Sequence, residues 1–198
     1  MNANVSKLLN EQINKEFYSA YLYLDFANYY AAVGLDGFEN WYRVQAQEER
    51  DHAMLFYQYL QNNGEDVTFE AIAKPEWERD DHMTPLKKAL AHERLVTAGI
   101  DAIYAAAYEV RDFRTMQMLD WFIKEQGEEE KNAADLITKD GAVRRRQQGA
   151  VYAQRRAEGT GLHRTLHDNG MTPSPDSAIK PIKPSNQLKR KRLNHVTY

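Results

Sequence analysis

The stretch QAQEERDHAMLFYQYL, residues 45–60, places two ionisable side chains on a helix face that is expected to be apolar. Residues that step by three and four share one face of a helix, and such a row is formed here by Gln45, Glu49, His52, Phe56 and Tyr59. Because Glu49 and His52 are three residues apart, both can reach one metal region. Glu49 could bridge two ions while His52 binds one of them. The spacing is compatible with metal binding by a carboxylate and an imidazole, and the other helices decide whether that interpretation holds.

Three further apolar rows with helical spacing also carry polar groups. Glu16 interrupts the first row and Glu93 the third, while the fourth contains Gln126 and Glu129. A single Glu or His in such a row is usually a boundary residue or a hydrogen-bonded core residue. Four converging carboxylates with no Lys or Arg at the inner positions instead require cations, because unpaired buried carboxylates are costly. Two divalent ions balance four carboxylates, as in di-iron bundles, so the sequence predicts a dinuclear metal site.

The helical period predicts four long helices within residues 1–138. Capping residues and turn signals set their ends: Asn4 or Ser6 to about Val33, Asp36 to about Asn62, Thr84 and Pro85 to about Arg111, and Asp112 to about Thr138. About twenty residues of weak periodicity separate the second helix from the third. Short links make neighbouring helices antiparallel, and one long link can cross a bundle. We therefore predict an all-α antiparallel four-helix bundle with one long crossover between helices 2 and 3.

Composition limits the metal ligands and the compartment. The 198 residues contain no cysteine, which excludes Cys-ligated zinc, iron–sulfur clusters and thiol nucleophiles. Any metal must then be held by Glu, Asp and His. No stretch approaches the roughly 20 apolar residues of a membrane span, and the N-terminus lacks the apolar segment of a signal peptide. We predict a cytoplasmic protein that does not associate with membranes.

Charge divides the chain near residue 139. Residues 1–138 hold 13 Lys and Arg against 25 Asp and Glu, a net of −12, whereas 139–198 hold 13 against 4, a net of +9, with four of the six prolines. We predict a bundle over 1–138 and a basic, disordered tail over 139–198. An arm for nucleic acid or membranes is the alternative, although specific nucleic-acid binding is not expected. His163 and His167 have helical metal spacing, but nothing nearby completes a site.

Four motifs in order, LNEQINKEFYSAYLY, AQEERDHA, HERLVT and EQGEEEK, resemble the corresponding segments of bacterial non-haem ferritins over about residues 5–138. The resemblance implies the ferritin-like four-helix bundle and an iron-storage protein with ferroxidase activity. Two Fe(II) ions per subunit would bind at the bundle centre and be oxidised by dioxygen or peroxide. Fe(III) would then be stored as a hydrous oxide in a homo-oligomeric shell of twenty-four subunits. No haem is expected.

The same resemblance assigns ligands to the two iron ions. One ion would bind Glu16, Glu49 and His52, and the other would bind Glu49, Glu93 and Glu129. Glu49 would therefore bridge the two ions.

Further roles follow from the matched positions. Gln126 would lie near the oxygen-binding side, and Tyr23 matches a tyrosine proposed to supply an electron; the alternative for Tyr23 is a core aromatic residue. Glu48, Glu125 and Glu128 match a third iron site that faces the shell cavity, and the alternative is a solvated helix face. The resemblance thus implies up to three iron positions per subunit.

The sequence also departs from related families. Gln126 and Glu129 stand where symmetric di-iron bundles have Glu-x-x-His, so the second metal position is expected to be the weaker one. This departure argues against bacterioferritin, which would also have a haem-ligating methionine, and the lack of cysteine argues against rubrerythrin. Miniature DNA-binding ferritins build their site between subunits. The remaining alternative is a di-iron or di-manganese oxidase, or a peroxide scavenger, that stores nothing.

The tail departs furthest, because bacterial ferritins continue through a glycine-containing turn into a short fifth helix that lines the shell channels. Codon degeneracy allows residues 143–171 to be encoded by a stretch whose next frame reads SGEGSKGLSTLSAELKARVYTEPSTTMA and then a stop. That peptide resembles the missing turn and helix. We hypothesise that a frameshift near residue 140 replaced the C-terminus, and the nucleotide sequence of the gene tests this directly.

Overall fold

The structure describes residues 1–159, with side chains described to residue 142. This part of the chain contains four long helices and no strand. This computed structural model has α1 (Ala3–Ala32), α2 (Asp36–Asn62), α3 (Met83–Glu109) and α4 (Phe113–Gly159). Short links join α1 to α2 and α3 to α4, while residues 63–82 join α2 to α3 without regular secondary structure. The predicted all-α four-helix bundle with one long crossover is confirmed.

The first two helices begin differently from the prediction. The side-chain oxygen of Asn2 accepts hydrogen bonds from the N–H groups of Asn4 at 2.9 Å and Val5 at 3.4 Å, so Asn2 caps α1 instead of Asn4 or Ser6. Asp36 is the first residue of α2 and makes no capping hydrogen bond. Its carboxylate lies in the first turn, where it stabilises the positive end of the helix dipole.

Of the capping residues predicted for the third and fourth helices, one is wrong and one is correct. α3 begins at Met83, because Asp81 Oδ1 accepts hydrogen bonds from the N–H groups of Met83 at 2.8 Å and Thr84 at 3.0 Å. The prediction that Thr84 caps this helix is therefore wrong. Asp112 caps α4 as predicted, since its Oδ1 accepts from the N–H of Thr115 at 3.2 Å.

The predicted end of the fourth helix at Thr138 is wrong, because α4 continues to Gly159. Residues 139–159 contain no proline and are rich in Ala, Arg and Gln, which favour helix. Each glycine inside a helix lowers the stability of the helix by about 1 kcal/mol relative to alanine. The surrounding residues with high helix propensity offset this loss in α4. Met1–Gln148 forms one compact unit and Gly149 begins a second. The rest of the predicted tail, including His163 and His167, lies outside the described residues.

The crossover is attached to α1 by two asparagine side chains. Asn10 donates to the backbone carbonyl of Asp66 at 3.1 Å and accepts from the N–H of Thr68 at 2.8 Å. One helical turn later, Asn14 donates to the carbonyl of Glu70 at 3.2 Å. A segment without secondary structure still needs partners for its backbone groups, and α1 supplies them here.

A second attachment, near the far end of the crossover, joins Asp25 to Trp77 and Arg79. The indole N–H of Trp77 donates to Asp25 Oδ2 at 2.6 Å, and Arg79 donates to Asp25 Oδ1 at 2.8 Å. The Arg79 guanidinium also lies 4.8 Å from the Trp77 ring centroid. One carboxylate on α1 thus holds two crossover side chains.

We expect Asp25→Ala to lower the free energy of unfolding by about 1–2 kcal/mol, because it removes the acceptor of the partly buried Trp77 N–H. Asp25→Asn keeps an oxygen acceptor for Trp77 and loses only the charge that faces Arg79, so its loss should be smaller. Urea unfolding of both variants measures the difference. Equal losses in the two variants would contradict the importance of the Trp77 hydrogen bond.

Two apolar clusters fill the bundle, and the predicted ligand positions lie between them along each helix. The first cluster draws on all four helices and includes Leu9, Ile13, Phe56, Leu60, Ile100 and Phe122. The second lies towards the other end and includes Leu22, Phe26, Tyr42, Leu86 and Leu136. Within the described residues, no helix is apolar over a length that would cross a lipid bilayer. The fold therefore encloses one polar layer between two apolar ones.

Candidate metal centre

The polar layer contains every residue predicted for the dinuclear centre. None of these side chains is more than 5% exposed, and the set comprises Glu16, Glu49, His52, Glu93, Gln126 and Glu129. Within residues 1–142, no Lys or Arg forms an ion pair with any of these carboxylates. Buried carboxylates without a basic partner are costly, so the layer is suited to bind cations.

The first predicted iron position is formed by residues from α1 and α2. Ligand atoms of Glu16, Glu49 and His52 lie within 4.8 Å of one another, and His52 Nδ1 lies 3.5 Å from Glu49 Oε2. The imidazole packs edge-on against Trp121 and Phe122, with ring centroids 5.4 and 5.8 Å away. These two rings restrict the orientation of the imidazole. Because Glu49 and His52 are three residues apart on α2, their ligand atoms lie on the same face of the helix and can bind one ion.

The second predicted position takes its carboxylates from α3 and α4. Glu93 accepts hydrogen bonds from the Tyr23 hydroxyl and from the Gln126 amide, the latter at 3.1 Å. Glu129 accepts from the Gln45 amide at 2.8 Å. A small cavity of about 10 Å³, roughly the space of one water molecule, borders both carboxylates. Glu93 and Glu129 lie near the first group and are oriented by these hydrogen bonds. Among the described residues, neither belongs to a group of three ligand residues with atoms within 4.8 Å of one another.

Burial and mutual repulsion raise the pKa values of the centre. Burial is the main cause for Glu16, Glu49 and Glu129, and a neighbouring carboxylate adds to each shift, Glu49 for the first and Glu93 for the other two. Burial also raises the pKa of Glu93, although its hydrogen bonds oppose the shift. Because a metal ion must displace the protons that these groups hold, metal binding should strengthen as pH rises.

A second ligand-spaced group lies beside the first and shares His52 with it. Ligand atoms of Glu48, His52 and Glu125 are within 4.8 Å of one another. Glu48 Oε1 is buried without a hydrogen-bond partner, and burial raises the pKa of Glu48 to about 7. Glu128, which sequence reasoning placed here, is 51% exposed and lies 3.8 Å from Lys124. The structure thus brings together two of the three predicted residues and adds the imidazole.

Tyr23 is fully enclosed next to the centre. Its ring contacts Phe26 and Tyr42 at centroid distances of 5.8 and 5.6 Å, and burial raises the pKa of its phenol. These contacts fit a core aromatic residue, while the hydrogen bond to Glu93 connects the phenol to the metal ligands.

Sequence reasoning missed two buried glutamines. Gln12 donates to Glu16 Oε1 at 2.7 Å, and Gln45 donates to Glu129 Oε2 at 2.8 Å. For Gln12 a signal was available, because it precedes Glu16 by four residues and i, i+4 residues are neighbours on a helix. The spacing of Gln45 points to Glu49 and not to its partner Glu129.

Buried carboxylates from four helices, with one imidazole and no basic partner within the described residues, define a four-helix carboxylate metal protein. The chain matches the ferritin-like domain over residues 6–142. Since this is more than half of its length, the chain belongs to the ferritin-like family.

Relatives and solved structures agree with the family. A bacterial non-heme ferritin of Staphylococcus epidermidis is 37% identical over 136 residues, covering 67% of this chain and 82% of that protein. A probable bacterial non-heme ferritin-like protein of Haemophilus influenzae is 32% identical over 139 residues, covering 70% and 84%. The open pore ferritin of Archaeoglobus fulgidus superposes with a TM-score of 0.72 at 35% identity, covering 79% of this chain and 96% of that one. A Chlorobium tepidum ferritin gives 0.72 at 26%, covering 82% and 99%.

Proposed function

We propose that this chain is an iron-storage protein with ferroxidase activity, which oxidises Fe(II) with dioxygen or peroxide and stores Fe(III) as a ferric oxide mineral. The observation that carries the proposal is the buried, ligand-spaced group of Glu16, Glu49 and His52. Carboxylate and imidazole ligands suit iron. Membership of the ferritin-like family supports iron as the substrate.

Two Fe(II) ions per subunit are the substrates of this centre. One ion binds Glu16, Glu49 and His52, and the other binds Glu49, Glu93 and Glu129. Burial of Glu93 and Glu129 without a basic partner among the described residues supports the second position. Each Fe(II) gives one electron to the oxidant, and Fe(III) leaves for the mineral because the second position has no imidazole to retain it.

Gln126 and Tyr23 assist at the second position. Gln126 lies on the oxygen-binding side, where its amide contacts Glu93. Two Fe(II) ions supply the two electrons that reduce dioxygen to hydrogen peroxide. Where a third Fe(II) and Tyr23 each add one electron, four electrons would reduce dioxygen to water. The phenol proton of Tyr23 would then pass along the existing hydrogen bond to Glu93, and a further Fe(II) would reduce the tyrosyl radical.

Storage requires a hollow shell around the mineral. We place the protein in the cytoplasm as a homo-oligomer of twenty-four subunits, without haem and without a membrane partner. The match along 96% of a solved ferritin chain supports a common shell-forming surface. The alternative is a di-iron or di-manganese oxidase, or a peroxide scavenger, with the same centre. Such a protein would oxidise its substrate as a small oligomer and would retain no mineral.

Aerobic Fe(II) loading of the full chain, followed by size-exclusion chromatography with detection of ferric absorbance, tests the proposal. We expect iron in large excess over two ions per chain to co-elute with a shell-sized particle. Oxidation that stops near two ions per chain on a small particle would support the non-storing oxidase instead. No oxidation above the buffer rate would overturn both.

A third iron position lies at Glu48 and Glu125, with His52 as the shared neighbour. We expect Glu48→Ala to remove one of three equivalents in anaerobic Fe(II) binding, because Glu48 places an unpartnered buried oxygen in this group. Glu128→Ala should leave all three equivalents, since Glu128 faces solvent near Lys124. Equal losses in the two variants would mean that Glu128 turns inward and binds the ion.

A further inference from the structure

Three glutamine amides reach into the polar layer, and each donates to one oxygen of a different carboxylate. The pairs are Gln12 with Glu16 Oε1 at 2.7 Å, Gln45 with Glu129 Oε2 at 2.8 Å, and Gln126 with Glu93 Oε2 at 3.1 Å. All three glutamines are buried. Each therefore occupies one carboxylate oxygen at a place that bulk water does not reach.

Glu49 differs from the other carboxylates of the centre. Within the described residues its hydrogen-bonding neighbours are themselves ligands, Glu16 and His52, and no amide donates to it. In Glu16 and Glu129 one oxygen accepts from an amide, which favours the other oxygen as the metal ligand. Glu93 differs from them, because Tyr23 donates to its second oxygen. A carboxylate without such a donor has both oxygens available, as a bridge between two ions requires.

We propose that Gln12 and Gln45 are positioning residues that make Glu16 and Glu129 one-oxygen ligands of separate iron ions, and that their amides leave Glu49 as the bridge. This inference rests on the proposed ferroxidase function. Gln12 acts on the ion bound by Glu16, Glu49 and His52. Gln45 acts on the other ion, through Glu129.

The surroundings of Gln12 indicate that its amide does more than fill space in the core. Its Oε1 is buried with no hydrogen-bond partner, and an unsatisfied buried polar atom destabilises a protein. An apolar side chain of the same shape would avoid that loss. The contribution of Gln12 is therefore its N–H group, which donates to Glu16 Oε1 and leaves Oε2 without a donor.

Gly99 on α3 provides the space for this amide. A Cβ atom at position 99 would lie 2.7 Å from Gln12 Oε1, which is too close for non-bonded atoms. Glycine is disfavoured inside a helix relative to alanine, so Gly99→Ala should favour α3 while it displaces the end of Gln12. Gly99→Ala therefore allows an effect on metal affinity to be measured without a loss of folding stability.

Titration of the metal-free full chain with Co(II) alone, followed by visible absorption, tests the inference. Wild-type protein should bind two equivalents at the centre. Methionine matches glutamine in shape but has no N–H donor. We expect Gln12→Met and Gln45→Met each to weaken a single equivalent by about 10–100-fold, as loss of a second-layer hydrogen bond does in other metal sites. In Fe(II) oxidation, KM should rise more than kcat falls.

Double variants identify which ion each glutamine serves. In the His52→Ala background, which lacks an imidazole at the first ion, Gln45→Met should still weaken the equivalent held by Glu93 and Glu129, and Gln12→Met should not. Gly99→Ala should weaken the same equivalent as Gln12→Met with an unchanged or higher Tm. Gly37→Ala is the matched control, because a Cβ there meets no atom within 4 Å, and it should leave both equivalents intact.

Wild-type affinity in both methionine variants would overturn the inference, as would equal weakening of both equivalents with a lower Tm, which indicates a purely structural role. Absence of Co(II) binding in the wild type would instead overturn the ferroxidase proposal, and the inference with it.

Discussion

Glu49→Ala should lower the rate of Fe(II) oxidation by roughly a hundredfold or more, a larger loss than the 10–100-fold typical of residues that only support a ligand. Glu49 is 2% exposed and lies at ligand spacing from Glu16 and His52. As the proposed bridging carboxylate it would contact both ions, so its removal should disable both positions. Stopped-flow absorbance of ferric product after mixing with aerobic Fe(II) measures the rate.

His52→Ala should have a smaller effect, because it removes a ligand from only one of the two ions of the dinuclear centre. Glu39→Ala is the matched control: Glu39 is on the same helix, and its carboxylate pairs with Arg43 at 3.4 Å, away from the centre. Its oxidation rate should equal that of the wild type. If Glu49→Ala oxidised iron as fast as Glu39→Ala, the assignment of this centre as the ferroxidase site would be wrong.

The metal-free protein should become less stable as pH rises from about 4.5 to about 7. Glu48 illustrates the sign: its pKa is raised from 4.5 to about 7 by burial, so in this interval the folded state holds a proton that the unfolded state has released. Stability falls with pH wherever the folded state binds more protons. The shift corresponds to about 3 kcal/mol, and Glu16, Glu49 and Glu129 shift in the same direction.

Thermal unfolding at pH 5 and pH 7 in the presence of a chelator measures this effect. Glu48→Gln removes one of the titrating groups, so the decrease in Tm between the two pH values should be smaller in that variant. Divalent metal should raise Tm more at pH 7 than at pH 5, because fewer protons must be displaced. A Tm of the metal-free wild type that rises from pH 5 to pH 7 would contradict the prediction.

The helices and the centre were predictable because both depend on spacing within a helix. Glu49 and His52 stand out in an apolar row, and the same test applied to the other three helices finds Glu16, Glu93 and Glu129. Each of these residues lies in the buried polar layer. A 3.6-residue period fixes which side chains face inward, so inward-facing charge can be recognised without a structure.

Features that depend on contacts between helices could not be predicted in the same way. Gln45 precedes Glu49 by four residues, yet its amide donates to Glu129, which is 84 residues away. Glu128 belongs to the acidic run GEEEK, but the helix turns it to solvent. Caps were also missed, because Asn2 and Asp81 compete with other capping residues nearby and only geometry decides between them.

The attachment of the crossover to α1 limits where this protein accepts added residues. Surface connections usually accept insertions at little cost. Asn10 and Asn14 are one turn apart, about 6 Å along the helix, and each binds its own part of the segment 66–70. An insertion between Thr68 and Glu70 would move one set of backbone partners out of register with the other. Foreign peptides are therefore better displayed from another connection of the bundle than from this one.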